Sequence, residues 1–425
     1  MTSLPGSPWL ERRGAALWLD GCELDALARE FGTPLYVYSL RAMLAALAGY
    51  QRALAGREHL VCYAMKANSS LAVLQAFAQA GCGFDIVSVG ELERVIAAGG
   101  DPGKTVFSGV GKTPAAMRRA LQAGVRCFNV ESERELDLLS EVAQSLGVTA
   151  PVSLRVNPDV DAGTHPYIST GLRGNKFGIA HDRAVGVYRR AAALPGLRVE
   201  GIDCHIGSQI TQVEPYLDAL DRVLDLVEAV EAAGIPLHHV DLGGGLGITY
   251  TDESPPGADE LVSRLIERID ARGHGHRTLM FEPGRSLVGN AGVLVTEVLY
   301  LKPGEVKNFC IVDAAMNDLV RPAMYEAWMA IEPCRQRAES ALRWDVVGPV
   351  CESGDWLGRD RDLAVQPGDH LAVLSAGAYG MVMASNYNSR PRAAEVMVED
   401  GQATLVRERE DVRSLFAGER LLPNS

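Results

Sequence analysis

From residue 58 to residue 285 the chain repeats one unit, a short β-favouring run followed by a segment with apolar residues at helical spacing. Strand-like runs fall at 59–66, 83–88, 104–108, 126–131, 151–157, 198–206, 238–243 and 278–283. Helical spacing occupies 71–80, 89–98, 113–123, 132–146, 181–193, 214–233 and 257–272 between and after them. Thr113-Pro114 and Ser132 with Glu135 read as helix starts. Gly81, Gly99-Gly100, Gly124, Gly147 and Gly234 read as stops. Eight strands alternating with helices over roughly 225 residues predict an α/β fold built on a (β/α)8 TIM-type barrel. A doubly wound sheet shows the same alternation, because strand order is not written in a sequence. The residues at the strand ends favour the barrel. Lys66, Asp85 with Ser88, Ser108, Glu131, Asn157, His205, Asp241 and Glu282 with Arg285 all fall where a strand runs out, the face at which barrels hold ligands.

On either side of the barrel the texture differs. Residues 16–39 give a short strand, a helix at 23–31 and an extended run. After Arg285, Val-rich runs at 292–302, 308–314, 342–349, 370–375 and 393–399 are separated by turns such as Pro303-Gly304 and Pro367-Gly368. The expectation is a barrel over 36–285 and a second, mainly antiparallel β domain from 1–35 and 286–425, with a site between closely packed domains.

Composition removes several classes of function. A net charge of −13 does not suit a nucleic-acid or anionic-membrane surface. No apolar run approaches the length of a membrane span, and the N-terminus lacks a secretory pattern. The eight cysteines are scattered without a CxxC pair, which fits a reducing cytoplasm. His274 and His276 lie in a Gly-rich turn without Cys or carboxylate partners, so no metal is expected.

The candidate chemistry centres on Lys66, in Tyr63-Ala64-Met65-Lys66-Ala67-Asn68. A lysine on rigid backbone at a strand's end is placed to carry a cofactor as a Schiff base, although a lone lysine there also reads as a surface cap. Asp241-Leu242-Gly243-Gly244-Gly245-Leu246-Gly247 follows the seventh strand, where consecutive backbone N–H groups can converge on a phosphate; a tight turn is the alternative. Its spacing is not the dinucleotide fingerprint. His205 ends strand six, placed either to stack on a planar cofactor or to bond within the barrel, and Ser208 follows as a phosphate donor. Glu282 ends strand eight. A carboxylate aimed into the barrel mouth is costly unless it faces a cation, such as a pyridinium nitrogen.

Together, Tyr-Ala-Met-Lys66-Ala-Asn, His205-Ile-Gly-Ser208, Gly-Gly-Gly-Leu-Gly, Glu282-Pro283-Gly284-Arg285, Asp313 to Tyr325, Cys351-Glu352-Ser-Gly-Asp355 and Gly377 to Pro391 resemble one family. It is the pyridoxal-phosphate decarboxylases with an alanine-racemase-like barrel (fold type III), in particular the diaminopimelate decarboxylases, matched in order over roughly residues 30 to 400. The resemblance implies pyridoxal 5'-phosphate bound by Lys66, Asp85, His205, Ser208, Gly244, Gly245, Glu282, Pro283, Gly284, Arg285 and Tyr379. It implies that Glu282 keeps the ring nitrogen protonated, where racemases of this fold use an arginine, and that Cys351 returns a proton to the substrate carbon. Arg285, Arg321, Tyr325, Glu352 and Tyr379 would bind the amino-acid substrate, the arginines gripping a distal carboxylate and Glu352 the distal ammonium. Taken alone, Arg321 also reads as a salt-bridge residue and Cys351 as a strand-end thiol. A homodimer with active sites shared across its interface is implied, with Cys351 and Glu352 serving the neighbouring subunit. The expected reaction converts meso-2,6-diaminopimelate to L-lysine and CO2, the last step of lysine biosynthesis. Alternatives are a decarboxylase of ornithine, arginine, lysine or a modified diamino acid, and a non-catalytic binding homologue. Asn175 and Val110 depart from the family's usual serine and asparagine.

Overall fold

A computed structural model describes residues 4–160 and 176–423. Two compact units divide the chain. One comprises Leu44–Ile248 and Glu253–Leu287, the other Met1–Met43, Thr249–Asp252 and Val288–Ser425.

The first unit is a closed barrel. Its strands are His59–Ala64, Gly83–Ile86, Thr105–Phe107, Cys127–Val130, Ala150–Asn157, Leu197–Asp203, His239–Asp241 and Thr278–Phe281, in that spatial order and all parallel. The last pairs with the first, Phe281 opposite Val61, so no edge is left open and the doubly wound alternative is ruled out. Cys62, Val106, Cys127 and Met280 form an apolar plug inside. The polar residues collect beyond it, at the strands' carboxyl ends.

The expected helices form with small changes at their ends. Ser88, Thr113 and Ser132 accept from the backbone N–H three residues on, and Gly124 and Gly147 close their helices in the left-handed conformation. One further helix, Leu40–Ala53, precedes the first barrel strand and so falls outside the repeating pattern. A Cβ on its Gly49 would stand 3.6 Å from Ala258, so it lies closely against Ala258–Ala271 and completes the ring.

The second unit carries a three-stranded meander and a large sheet. In the sheet Trp356–Leu363, Leu342–Val347, Phe309–Val312, Gly292–Lys302, Leu35–Ser39, Ala394–Glu399 and Gln402–Arg407 lie side by side. Most pairs are antiparallel; Phe309–Val312 with Leu342–Val347 and Leu35–Ser39 with Ala394–Glu399 are parallel. Leu35–Ser39, the extended run ahead of the barrel's repeating pattern, is fully buried in this sheet, so the domain bound expected at residue 36 falls at residue 44 instead. Two strands carry no clear pattern. Trp356–Leu363 holds Arg359, Asp360, Arg361 and Asp362 in its middle, and Gln402–Arg407 is an exposed edge, so apolar alternation is absent from both.

Candidate active site

Lys66 leaves the first barrel strand on a single 3-10 turn, Met65–Ala67, pinned by the Tyr63 hydroxyl donating to Asn68 O at 2.8 Å. Its Nζ lies 2.5 Å from Oδ2 of Asp85, on the neighbouring strand. Asp85 is fully buried, while the lysine side chain is 40% exposed and therefore reachable. A buried carboxylate needs a cation, and this one has it.

The loops after strands six, seven and eight meet backbone to backbone. Gly243 (φ +63°) donates to Asp241 Oδ1 at 2.9 Å, and its carbonyl accepts from Glu282 N at 2.6 Å. A Cβ on Gly244 would sit 2.2 Å from Glu282 O, and one on Gly245 (φ +103°) 2.3 Å from Gly207 O. Pro283 O accepts from Ala64 N at 3.0 Å, and a Cβ on Gly284 would touch Ala64 and Ala67 at 3.2 Å, which ties strand eight's loop to the Lys66 turn. Ser208 Oγ accepts from Arg285 at 3.0 Å. His205 Nδ1 accepts from Gly244 N at 3.2 Å, so that nitrogen carries no proton. Burial, then the charges of Arg155 and Lys66, hold this imidazole well below the usual histidine range. A neutral, flat ring is thus fixed beside the glycine turn. The same bond engages the Gly244 N–H, one of the expected phosphate donors.

Glu282 reaches into the lumen and is buried. Its Oε1 accepts from Asn129 at 3.1 Å, and Asn129 also donates to Ser108 at 3.1 Å. Burial, followed by the charges of Asp241, Asp85 and Asp203, pushes its carboxyl well above the usual range, with Lys66 opposing. Burial, then the charge of Asp241, lifts Asp203 well above the usual range with Arg155 opposing, and burial lifts Asp241 to about 7. Asn129, Arg155 and Asp203 escape sequence reading because they lie inside strand runs. A charged residue within an apolar barrel strand was the available signal.

In the second unit, Arg321 is buried at the head of a short helix, Arg321–Tyr325. Its guanidinium carbon lies 5.7 Å from the Tyr250 ring, 5.6 Å from Tyr325 and 6.0 Å from Tyr379. Tyr379 takes a left-handed backbone (φ +55°), a strained setting for a non-glycine residue. Cys351 is exposed, unlike the other seven cysteines, and its N–H donates to Asn388 Oδ1 at 3.1 Å. Glu352 accepts from the Tyr387 hydroxyl, which raises that phenol's pKa. Asp355 organises the turn, taking Val350 N at 2.7 Å and Met316 N at 2.6 Å. The expected site residues therefore gather as a barrel set, an Arg321 set with its tyrosines, and a Cys351–Glu352 turn. His274 is part of an ion network, 3.3 Å from Glu228 and accepting from Arg277 at 3.1 Å. Val110 is exposed, and Asn175 lies outside the described residues.

A closed parallel barrel with a carboxylate-paired lysine, a glycine turn and a glutamate in the lumen suits a pyridoxal-phosphate enzyme, and residues 40–289 match the family described as "Pyridoxal-dependent decarboxylase, pyridoxal binding domain". Over 411 residues the sequence is 61% identical to the diaminopimelate decarboxylase of Pseudomonas aeruginosa, covering 97% of this chain and 98% of that one. The structure matches diaminopimelate decarboxylase from M. jannaschii in co-complex with L-lysine with a TM-score of 0.94 at 39% identity, covering 98% and 99% of the two chains. It matches that of Helicobacter pylori, complexed with L-lysine, with a TM-score of 0.88 at 40% identity over 92% and 98%. The chain belongs to the diaminopimelate decarboxylase family. Among the described residues no helix is long and apolar enough to cross a membrane.

Proposed function

We propose that the chain decarboxylates meso-2,6-diaminopimelate to L-lysine and CO2 with pyridoxal 5'-phosphate. The observation that carries the reading is a glutamate, Glu282, buried in the same lumen as the Lys66–Asp85 pair. Bound pyridoxal phosphate supplies an electron sink for the carbanion left when CO2 departs. Lys66 would hold the cofactor on Nζ, and Asp85 keeps that nitrogen at the strand end. Glu282 would face the ring nitrogen and keep a proton there, which favours decarboxylation over the racemase chemistry that an arginine at this place serves. His205 would lie against the ring as a neutral imidazole. Ser208, the backbone N–H groups of Gly245 and of Gly284 and Arg285 after Pro283, and Tyr379 would hold the phosphate.

Arg321 and Arg285 would grip the distal carboxylate of the substrate, with Tyr325 beside them and Glu352 on the distal ammonium. Charge-assisted hydrogen bonds contribute about 1.5–3 kcal/mol each, enough to disfavour a substrate without that carboxylate. Cys351 would deliver a proton to the α-carbon from Sγ, for which its exposure and polar neighbours suit it. A cytoplasmic homodimer, in which Cys351 and Glu352 serve the partner's site, completes the reading. The experiment is product analysis with meso-diaminopimelate, ornithine, arginine and lysine as competing substrates and Lys66→Ala as control. L-lysine and CO2 from meso-diaminopimelate are expected. Preference for any substrate lacking a distal carboxylate overturns the substrate assignment, and no absorbance change on adding cofactor points to a binding homologue.

A further inference from the structure

The barrel lumen holds more acid than its cations can pair. Asp85, Glu131, Asp203, Asp241 and Glu282 are all buried. Lys66 is paired with Asp85 at 2.5 Å and Arg155 with Glu131 at 3.4 Å. Asp203, Asp241 and Glu282 make no ion pair among the described residues, yet one oxygen from each lies within 4.8 Å of the others. Asp203 and Asp241 stand side by side on neighbouring strands. Asp203 Oδ1 and Asp241 Oδ2 are buried with no donor. Asp241 is also within hydrogen-bonding reach of Glu282, a contact between two acids that becomes a bond only if a proton lies in it. Three unpaired anions this close in a water-poor lumen would repel strongly.

We propose that Asp203 and Asp241 are positioning residues that keep one proton within this three-acid cluster, so that negative charge remains on the side of Glu282 that faces the ring nitrogen. The inference rests on the reading of Glu282 given above. The other titratable groups facing the pair are consistent with it. Glu131 and Arg155 neutralise each other, as do Asp85 and Lys66. Burial raises the Cys62 and Cys204 thiols well above their usual range, so they stay uncharged. Burial likewise keeps the His239 imidazole, two residues below Asp241, neutral, with a pKa of about 3. One negative charge besides the one facing the ring therefore remains in the cluster and raises the proton affinity of whatever Glu282 faces.

The test is the pH midpoint of the bound cofactor's absorbance change in the holoenzyme. The near-isosteric double variant D203N/D241N removes that charge, and the midpoint should fall by about one pH unit or more. E282Q should also lower it. An unmoved midpoint in D203N/D241N alongside a shifted one in E282Q overturns the shared proton and leaves the reading of Glu282 standing. An unmoved midpoint in E282Q overturns both. Should the double variant fail to fold, infrared spectra of the unsubstituted holoenzyme at about pH 7.5 decide: a protonated carboxyl band that shifts in D2O supports the pair, and its absence overturns it. A stoichiometric metal ion found in the purified holoenzyme and lost in D203N/D241N also overturns it.

Discussion

In the barrel five carboxylates are buried around Lys66 and Arg155, whereas the second unit sets Arg321 among three tyrosine rings and leaves Cys351 exposed. On the proposed reading, the difference follows from what each would bind. A cofactor that works as an electron sink needs fixed charges in a low dielectric, where their field is strong and costs no reorganisation. A guanidinium set against aromatic faces is held in place by ring contacts, and on the proposed reading it would meet a substrate carboxylate. Reaction type and substrate choice are then separable. Barrel changes should alter the cofactor's spectrum and turnover, and changes at Arg321 should alter substrate preference alone.

Lys66→Ala carries the largest expected effect, a loss of roughly 10³- to 10⁶-fold in kcat, accompanied by loss of the absorbance change on adding cofactor. Cys351→Ala should come next. Removing a positioned acid costs about 10²- to 10⁴-fold in kcat, here with the cofactor spectrum intact. A disturbed spectrum in that variant would break the division between the two regions. Arg321→Leu should lower kcat/KM for meso-diaminopimelate by about 10- to 100-fold, the equivalent of one charge-assisted bond, again without a spectral change. A loss carried wholly by kcat would show that Arg321 acts on the chemistry and not on recognition.

The barrel was more legible than the second unit, and for a physical reason. Strands such as Gly83–Ile86 and Cys127–Val130 are buried throughout and run into helices capped by Ser88 and Ser132, so apolar runs and caps mark them together. The second unit's Trp356–Leu363 is half exposed and charged in its middle, and it left no such trace. Among site residues, those at strand ends were readable because polarity there breaks an apolar run. Lys112 was not. It is buried, with Nζ donating to Gly109 O at 2.8 Å, Asn129 O at 2.7 Å and Glu135 at 2.7 Å, yet in sequence it is a loop lysine between a glycine-containing turn and a helix start. The unpaired acids were half legible. Asp241 stood out beside its glycines, but its closeness to Asp203 and Glu282 depends on register and closure, which no local pattern encodes.

Stability should respond to pH through the same barrel acids. Asp241 has its proton affinity raised by burial to about 7 from an ordinary 3.8, so the folded state binds more protons than the unfolded one between those values. Its contribution is therefore full below about pH 4 and is lost as pH rises towards 7, by up to about 1.4 kcal/mol per unit. Asp241→Asn should flatten this fall when the apoprotein's unfolding free energy is followed from pH 5 to pH 8. A steeper fall in the variant would mean that the carboxylate is stabilising as an anion.

The smallest effect is the one that asks how tightly the barrel's charges are tied to its helices. Ser132 caps Glu133–Leu146 by accepting from Glu135 N at 3.2 Å, and the Glu135 side chain holds Lys112 against Asn129, the residue that donates to Glu282. Ser132→Ala should cost about 1 kcal/mol of stability, read as a fall in Tm of roughly 2–4 °C. Because Glu135 keeps its backbone position through the rest of the helix, kcat and the cofactor spectrum should not move. If kcat falls as well, the chain of bonds from the cap to Glu282 transmits the disturbance. The lumen's electrostatics would then depend on helix ends as much as on the strands that carry the acids.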